Sequence, residues 1–255
     1  MLIDTHTHIF LEDFKDDIGE VLKRAIKNDV QLCFLPNIDT DSIDDLHSVC
    51  KKYPNSCFPM MGLHPCSVKG DYKIQLKQIE GFLNNQKYYG VGETGIDLYW
   101  DKSYYKEQVI SLETHIKWAK SLNLPIILHC RDSFNEVFDV ISKLQDGTLT
   151  GVFHCFTGSV EDAKKVVDVG FLMVIGGVAT FKNAGLDKTL KHISIEHLVL
   201  ETDAPYLTPT PNRCKINEPS YIKYIVEKLK DIYWLSEMEI AERTTKNAKL
   251  LFKLN

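Results

Sequence analysis

The eight residues GVGETGID, Gly90 to Asp97, admit two readings that imply two different folds. The first six match G-x-G-x-x-G, the fingerprint of a turn that wraps a dinucleotide pyrophosphate in an open, doubly wound sheet. Such a turn needs a helix opening inside the motif, with its N-terminus under the phosphates. Here Ile96-Asp97-Leu98-Tyr99-Trp100-Asp101 follows, and the sequence predicts the next helix only near Ser103. The motif also comes after three earlier strand–helix units rather than at a first one. In the second reading, an apolar strand, Tyr88–Gly92, simply ends at a carboxylate, Glu93.

Short apolar, β-branched runs of the same kind recur along the chain. They are Leu2–Asp4, Gln31–Leu35, Cys57–Gly62, Tyr88–Gly92, Pro125–Leu128, Gly151–Phe153, Phe171–Ile175 and His197–Leu200. Helical periods lie between them. Ile18, Val21, Leu22, Ala25 and Ile26 form one stripe. Val109, Leu112, Ile116 and Ala119 form another, and Ile222, Ile225, Val226 and Leu229 a third. Continuously apolar strands that alternate with helices mean a parallel sheet covered by helices. Eight such units in 255 residues predict an α/β fold, a closed (β/α)8 TIM barrel, as one domain over 1–255. A further helix near the C-terminus opens at Ser236, with Glu239 at the capping-box position.

A net charge of −5 argues against a broad basic surface for duplex DNA, while leaving room for a local cationic site. Seven scattered cysteines without a C-x-x-C pair suit free thiols in a reducing compartment. The start, Met-Leu-Ile-Asp-Thr-His, has no basic stretch followed by an apolar one, and no apolar run nears the ~20 residues of a membrane span. The expectation is a soluble cytoplasmic protein with no membrane partner.

In a barrel of this kind the chemistry sits where the strands end. The strand ends read Asp4-Thr-His6-Thr-His8, Gly62-Leu-His64-Pro65, Gly92-Glu93-Thr94, His129-Cys-Arg131-Asp132, His154-Cys-Phe156 and Glu201-Thr-Asp203. Five of the nine histidines fall there, and His47, His115, His192 and His197 are left as structural or solvated residues. With a period of two, Asp4, His6 and His8 share one side, so the H-x-H pair can grip one metal. Imidazole with carboxylate oxygen suits zinc, manganese or iron, and carboxylate-rich positions admit magnesium. A lone buried histidine is usually a core residue. Together, however, His6, His8, Glu93, His129, His154 and Asp203 are too many for one tetrahedral zinc with an open position. They suit two divalent ions bridged by a carboxylate and a water.

At these residues the sequence resembles the TatD family of metal-dependent hydrolases, within the amidohydrolase-like barrels. The resemblance is carried by DTHTHI, GLHP, GVGETGIDLYW, LHCRDS, HCFTGS, LETDAPYLTP, RCKINEP and, near the C-terminus, TTKNAKLLF. It implies that His6, His8 and Asp203 hold a first metal, His129 and His154 a second, and that Glu93 bridges them. It departs from the family in one loop, where Arg213-Cys214-Lys215 replaces the usual Arg-Gly-Lys.

Because family members are deoxyribonucleases trimming from the 3′ end, the resemblance implies phosphodiester hydrolysis of DNA, with single-stranded ends as substrate. Glu93 and Asp203 are then the catalytic carboxylates, Asp203 taking the proton of the attacking water. His64, Arg131 and Arg213, with Lys215, are expected to hold phosphate, although Arg131 can equally pair with Asp132 or Asp97. Asp4 and Glu201 are expected to orient ligands from one layer deeper. Tyr99, Trp100 and Tyr206 either stack on bases or pack their loops. Cys130 and Cys155 should face the helix layer as small hydrophobes. The same site could instead cleave a lactone, a phosphotriester or an aminoacyl-tRNA ester. A noncatalytic metal-stabilised protein and a nicotinamide enzyme are the weaker readings.

Overall fold

A computed structural model describes residues 1–254. Eight strands alternate with helices. The strands are β1 (Leu2–Asp4), β2 (Val30–Pro36), β3 (Cys57–Met60), β4 (Val91–Asp97), β5 (Ile126–Arg131), β6 (Gly151–Phe153), β7 (Leu172–Ile175) and β8 (Leu198–Leu200). The helices are α1 (Ile18–Lys27), α2 (Ile43–Lys52), α3 (Tyr72–Asn85), α4 (Tyr105–Leu122), α5 (Phe134–Leu144), α6 (Val160–Asp168), α7 (Leu186–Leu190), α8 (Ile222–Tyr233) and α9 (Glu237–Leu251). Among the described residues no helix is long and apolar enough to cross a membrane.

All strand pairs are parallel. They form one ladder of β1-β2-β3 and another running from β4 to β8. The ring closes at two seams. Between β3 and β4, Met61 N–H donates to Gly90 O (3.1 Å) and Gly92 N–H to Met61 O (2.8 Å). Between β8 and β1, Thr5 N–H donates to Leu200 O (2.9 Å) and Asp203 N–H to His6 O (2.9 Å). β1 and β8 have only three residues each, so this seam is made largely by residues just past them.

The barrel interior takes one apolar side chain from each of seven strands: Ile3, Phe34, Met60, Ile127, Val152, Val174 and Val199. Ala248 and Phe252, in and just after α9, complete the same cluster, and the Phe252 ring stacks on Phe34 with centroids 3.8 Å apart. The extra C-terminal helix is thus part of the core. Its start is fixed as the sequence predicts, with a capping box between Ser236 and Glu239. The larger cluster lies between sheet and helices and includes Val21, Leu22, Ala25, Leu112, Ile116, Ala119, Ile222, Ile225 and Leu229. Ile26 is the exception in its stripe: it is exposed, because it falls at the edge of the buried face of α1.

The decisive stretch folds differently in detail from its expected boundaries. β4 begins at Val91 and runs on to Asp97, so Glu93 lies inside the strand. No helix opens in the motif, and α4 starts only at Tyr105, which removes the dinucleotide turn. The glycines serve close passage instead. Gly92 and Gly95 have φ of +147° and +149°, and a Cβ on Gly95 would lie 2.0 Å from His129 O. β4 can follow β5 through the irregular register between Val91 and Thr94 only because these side chains are missing.

His115, on α4, is fully buried and neutral. Its Nε2 accepts the Leu63 N–H (3.0 Å) and its Nδ1–H donates to Ser111 O (2.7 Å), which pins the turn after β3. Burial pushes its pKa down to about 4.

Two outcomes follow from this packing. Phe252→Ala empties the bottom of the barrel and should cost about 3–5 kcal/mol in urea unfolding at neutral pH. For His115, protonation is easier in the unfolded chain, at the ordinary value of 6.5, than in the folded one at about 4. Its contribution is therefore complete above pH 6.5 and is lost as pH falls toward 4. The stability of the native protein relative to His115→Gln should decline by roughly 3 kcal/mol over that window. A pH-independent difference would contradict the burial argument.

Candidate metal centre

Glu93 stands at the centre of the C-terminal mouth of the barrel, and each of its oxygens faces a different group of histidines. Oε2 lies 3.1 Å from His6 Nε2 and 3.7 Å from His8 Nε2. Oε1 lies 2.8 Å from His129 Nδ1, 3.0 Å from His154 Nε2 and 3.4 Å from His64 Nε2. Asp203 Oδ1 completes the first group at 3.8 Å from His6 Nε2 and 3.6 Å from His8 Nε2. Glu93, His6 and Asp203 are all buried.

Backbone bonds beyond the strands hold the first group together. His8 N–H donates to Ala204 O (2.7 Å), and Asp203 sits in the left-handed region at φ +56°, a strained conformation that its bonded loop maintains. Asp4 does not share a side with His6 and His8, contrary to the period-two expectation. The strand ends at Asp4, and its carboxylate turns to β8, where it accepts the Thr202 N–H (2.9 Å) and hydroxyl (2.5 Å). It supports the seam beneath His6 and touches no ligand side chain.

The second group is oriented by two carboxylates. Asp97 Oδ2 lies 2.9 Å from His129 Nε2. Hydrogen bonding from His129 holds Asp97 well below the usual carboxylate range despite burial. As an anion it accepts the Nε2–H, so Nδ1 is the nitrogen that His129 turns toward Glu93, and the two carboxylates hold the ring above its ordinary value against burial. Glu201 does the same more weakly for His154, with Oε2 3.4 Å from Nδ1, while its Oε1 accepts the Cys155 N–H at 2.8 Å. The part of Asp97 in orienting His129 does not follow from the strand-end pattern of the sequence. Its signal was the alternation Glu93, Gly95, Asp97 along one strand.

This donor set fits divalent cations. Ligand atoms at the corners of a tetrahedron with bonds of ~2.1 Å lie about 3.4 Å apart. His6 Nε2 and His8 Nε2 lie 3.1 to 3.8 Å from the nearest Glu93 and Asp203 oxygens. His6 Nε2 and His8 Nε2 face each other at 3.2 Å, which two bare lone pairs do not do without a shared proton or cation. Burial alone would raise the Glu93 carboxyl, but His154, His64 and His6 overcome it and hold it well below its ordinary value. His154 is raised well above its own ordinary value, against burial, by Glu93 and Glu201. The negative charge that attracts a proton there attracts a metal ion equally.

The remaining expected residues divide. His64 joins the cluster, but its Nδ1 accepts the Cys66 N–H at 3.1 Å. Its neutral ring therefore carries hydrogen on Nε2 and points a donor, rather than a lone pair, into the site. Arg131 pairs with neither Asp132 nor Asp97; its guanidinium lies over Tyr99. Arg213 lies over the Phe181 ring at 3.7 Å and donates to Thr208 O, so its described contacts are within the loops and not with the cluster. Cys130 packs against the outer core, and burial raises its thiol to about 11. Burial also pushes Cys155 up, so neither is a nucleophile at neutral pH.

The pattern of the family described as "TatD related DNase" matches residues 3–253. YabD of Bacillus subtilis, an uncharacterized metal-dependent hydrolase, is 36% identical over 256 residues, covering 100% of both chains. YcfH of Escherichia coli K12, described in the same words, is 29% identical, over 100% of this chain and 96% of its own. The crystal structure of the TatD homologue YJJV from Escherichia coli superposes with a TM-score of 0.94 at 26% identity, covering 100% and 98% of the two chains. The chain belongs to the TatD family of metal-dependent hydrolases.

Proposed function

We propose that this protein hydrolyses phosphodiester bonds in DNA, trimming single-stranded ends from the 3′ side with two divalent ions. The observation that carries the dinuclear site is the division of Glu93, with one oxygen for His6 and His8 and the other for His129 and His154. His6, His8 and Asp203 would hold one ion and His129 and His154 the other, as zinc, magnesium or manganese. The family description supports DNA as substrate, and the 3′ polarity rests on the family resemblance alone. All seven cysteines are free thiols, which supports a reducing, cytoplasmic setting.

When bound in such a set, two divalent ions acidify a water and polarise a phosphoryl oxygen. The chain's own groups supply the rest. Asp203, at the edge of the site, takes the proton of the attacking water. Its carboxyl is lowered by hydrogen bonding from His8 and by the neighbouring histidines in spite of burial, so it is a base at neutral pH. His64 Nε2–H donates to a non-bridging phosphate oxygen. Asp97 keeps His129 in the tautomer that faces inward.

Purified protein supplied with Mg²⁺ or Mn²⁺ should shorten a 5′-labelled single-stranded oligonucleotide faster than it hydrolyses lactone, phosphotriester or aminoacyl-ester substrates. Absence of DNA cleavage with every divalent ion would refute the nuclease assignment. Glu93→Gln should remove more than ~99% of turnover and lower the metal content per chain by elemental analysis, with circular dichroism unchanged. Asp97→Asn offers His129 an amide in place of an anion. It should weaken metal affinity about 10- to 100-fold in competition with a chelator, without unfolding the protein.

A further inference from the structure

The mouth of the barrel carries a second feature that hydrolysis itself does not use. Asp97 accepts the Tyr99 N–H (3.0 Å) and the Trp100 N–H (3.2 Å) on the carboxylate whose other oxygen holds His129. The loop after β4 is therefore tied to a ring of the metal centre through one side chain. That loop turns two aromatic rings outward: Tyr99 is 53% exposed and Trp100 69% exposed, with ring centroids 4.8 Å apart in an edge-to-face arrangement. Arg131 lies two residues beyond His129, and its strand position is fixed by the Leu98 N–H to Arg131 O bond (2.9 Å). Its guanidinium carbon lies 3.9 Å from the Tyr99 centroid and 5.3 Å from that of Trp100. Among the described residues the guanidinium has no carboxylate partner and donates no hydrogen bond.

Exposed aromatics cost solubility, and an exposed cation beside acidic neighbours ordinarily finds a partner. Asp132 is adjacent in sequence, yet the guanidinium stacks on the rings. A delocalised cation on a π-face with all five N–H groups free is preorganised for a planar, anionic ligand. Packing does not account for the loop, since neither ring is buried.

We infer that Tyr99, Trp100 and Arg131 form a nucleotide clamp, in which an unpaired base of the substrate strand stacks on the more exposed Trp100 ring, which Tyr99 braces edge-on, and the guanidinium held over Tyr99 binds an adjoining phosphate. This rests on the assignment of a nucleic-acid substrate, and it adds the residues outside the metal centre that hold the base and phosphate of the strand. Stacking of this kind tolerates any base, because each has a π-face. Arg131 adds a charge contact that weakens with salt.

The test separates the clamp from catalysis. Metal-free protein is titrated into a fluorescein-labelled single-stranded oligonucleotide and into an abasic oligonucleotide of equal length, and anisotropy is read. The native protein should bind the base-bearing strand about ten-fold more tightly than the abasic one. Tyr99→Ala/Trp100→Ala should abolish that preference. Arg131→Gln should weaken binding of both strands and flatten the salt dependence. In a Trp118→Phe/Trp234→Phe background, where Trp100 is the remaining tryptophan, its fluorescence should be quenched by the base-bearing strand and not by the abasic one. A native protein that binds both strands equally, or a double variant that keeps the preference, overturns the clamp; circular dichroism of the variants distinguishes either result from unfolding. A preference for bases without DNA cleavage under any metal would leave the clamp standing and refute the nuclease assignment.

Discussion

The buried carboxylate of Glu93 is the constraint on which the rest of this structure depends. A charge with almost no access to water is tolerated only among compensating partners. Here they come from four other strand ends: His6 and His8 after β1, His64 after β3, His129 on β5 and His154 after β6. No two neighbouring elements can bring these together. The ring must close, and the two seams do so within a residue or two of the ligands: Met61 to Gly92 beside Glu93, and Thr5 and His6 to Leu200 and Asp203 beside the H-x-H pair. The seams that close the barrel are the ones that bring the ligands of the metal centre together.

Asp97 extends the same logic outward. One oxygen fixes the His129 tautomer, and the other fixes the backbone of the loop that carries Tyr99 and Trp100. Ligand basicity and the shape of the mouth are thereby coupled through a single side chain. At the opposite end of the barrel, Phe252 seals the interior against Phe34. The C-terminal helix thus stabilises the scaffold far from the chemistry, while the ends of the strands remain free for it.

Much of the fold was legible because its signals are local. Each apolar run gave a strand within a few residues, and Ser236 with Glu239 marked the start of α9. Errors came where the period of two was carried beyond the strand. Asp4 was grouped with His6 and His8 on that basis, but regular pairing ends at Asp4 and its side chain turns to Thr202. The apolar run Tyr88–Gly92 ends at the Glu93 carboxylate, yet Gly92 and Gly95 let β4 run on to Asp97 past a neighbour too close for any side chain. For Arg131 and Arg213 charge gives an expectation of phosphate contact, and the folded chain adds that each guanidinium lies over an aromatic ring.

The sequence by itself determined the strand–helix alternation, the concentration of histidines and carboxylates where strands end, and the family to which those motifs belong. These are properties of residue type and spacing along one chain, and the physics behind them, periodic burial and metal-ligand chemistry, acts locally. Only the tertiary structure decided which nitrogen of each histidine faces inward and that Glu93 divides its oxygens between two groups. It alone decided too that Asp97 supports both a ligand and a loop. Those facts depend on distances between strands remote in sequence and on the hydrogen-bond partner behind each ring. A linear chain does not contain them until the barrel closes.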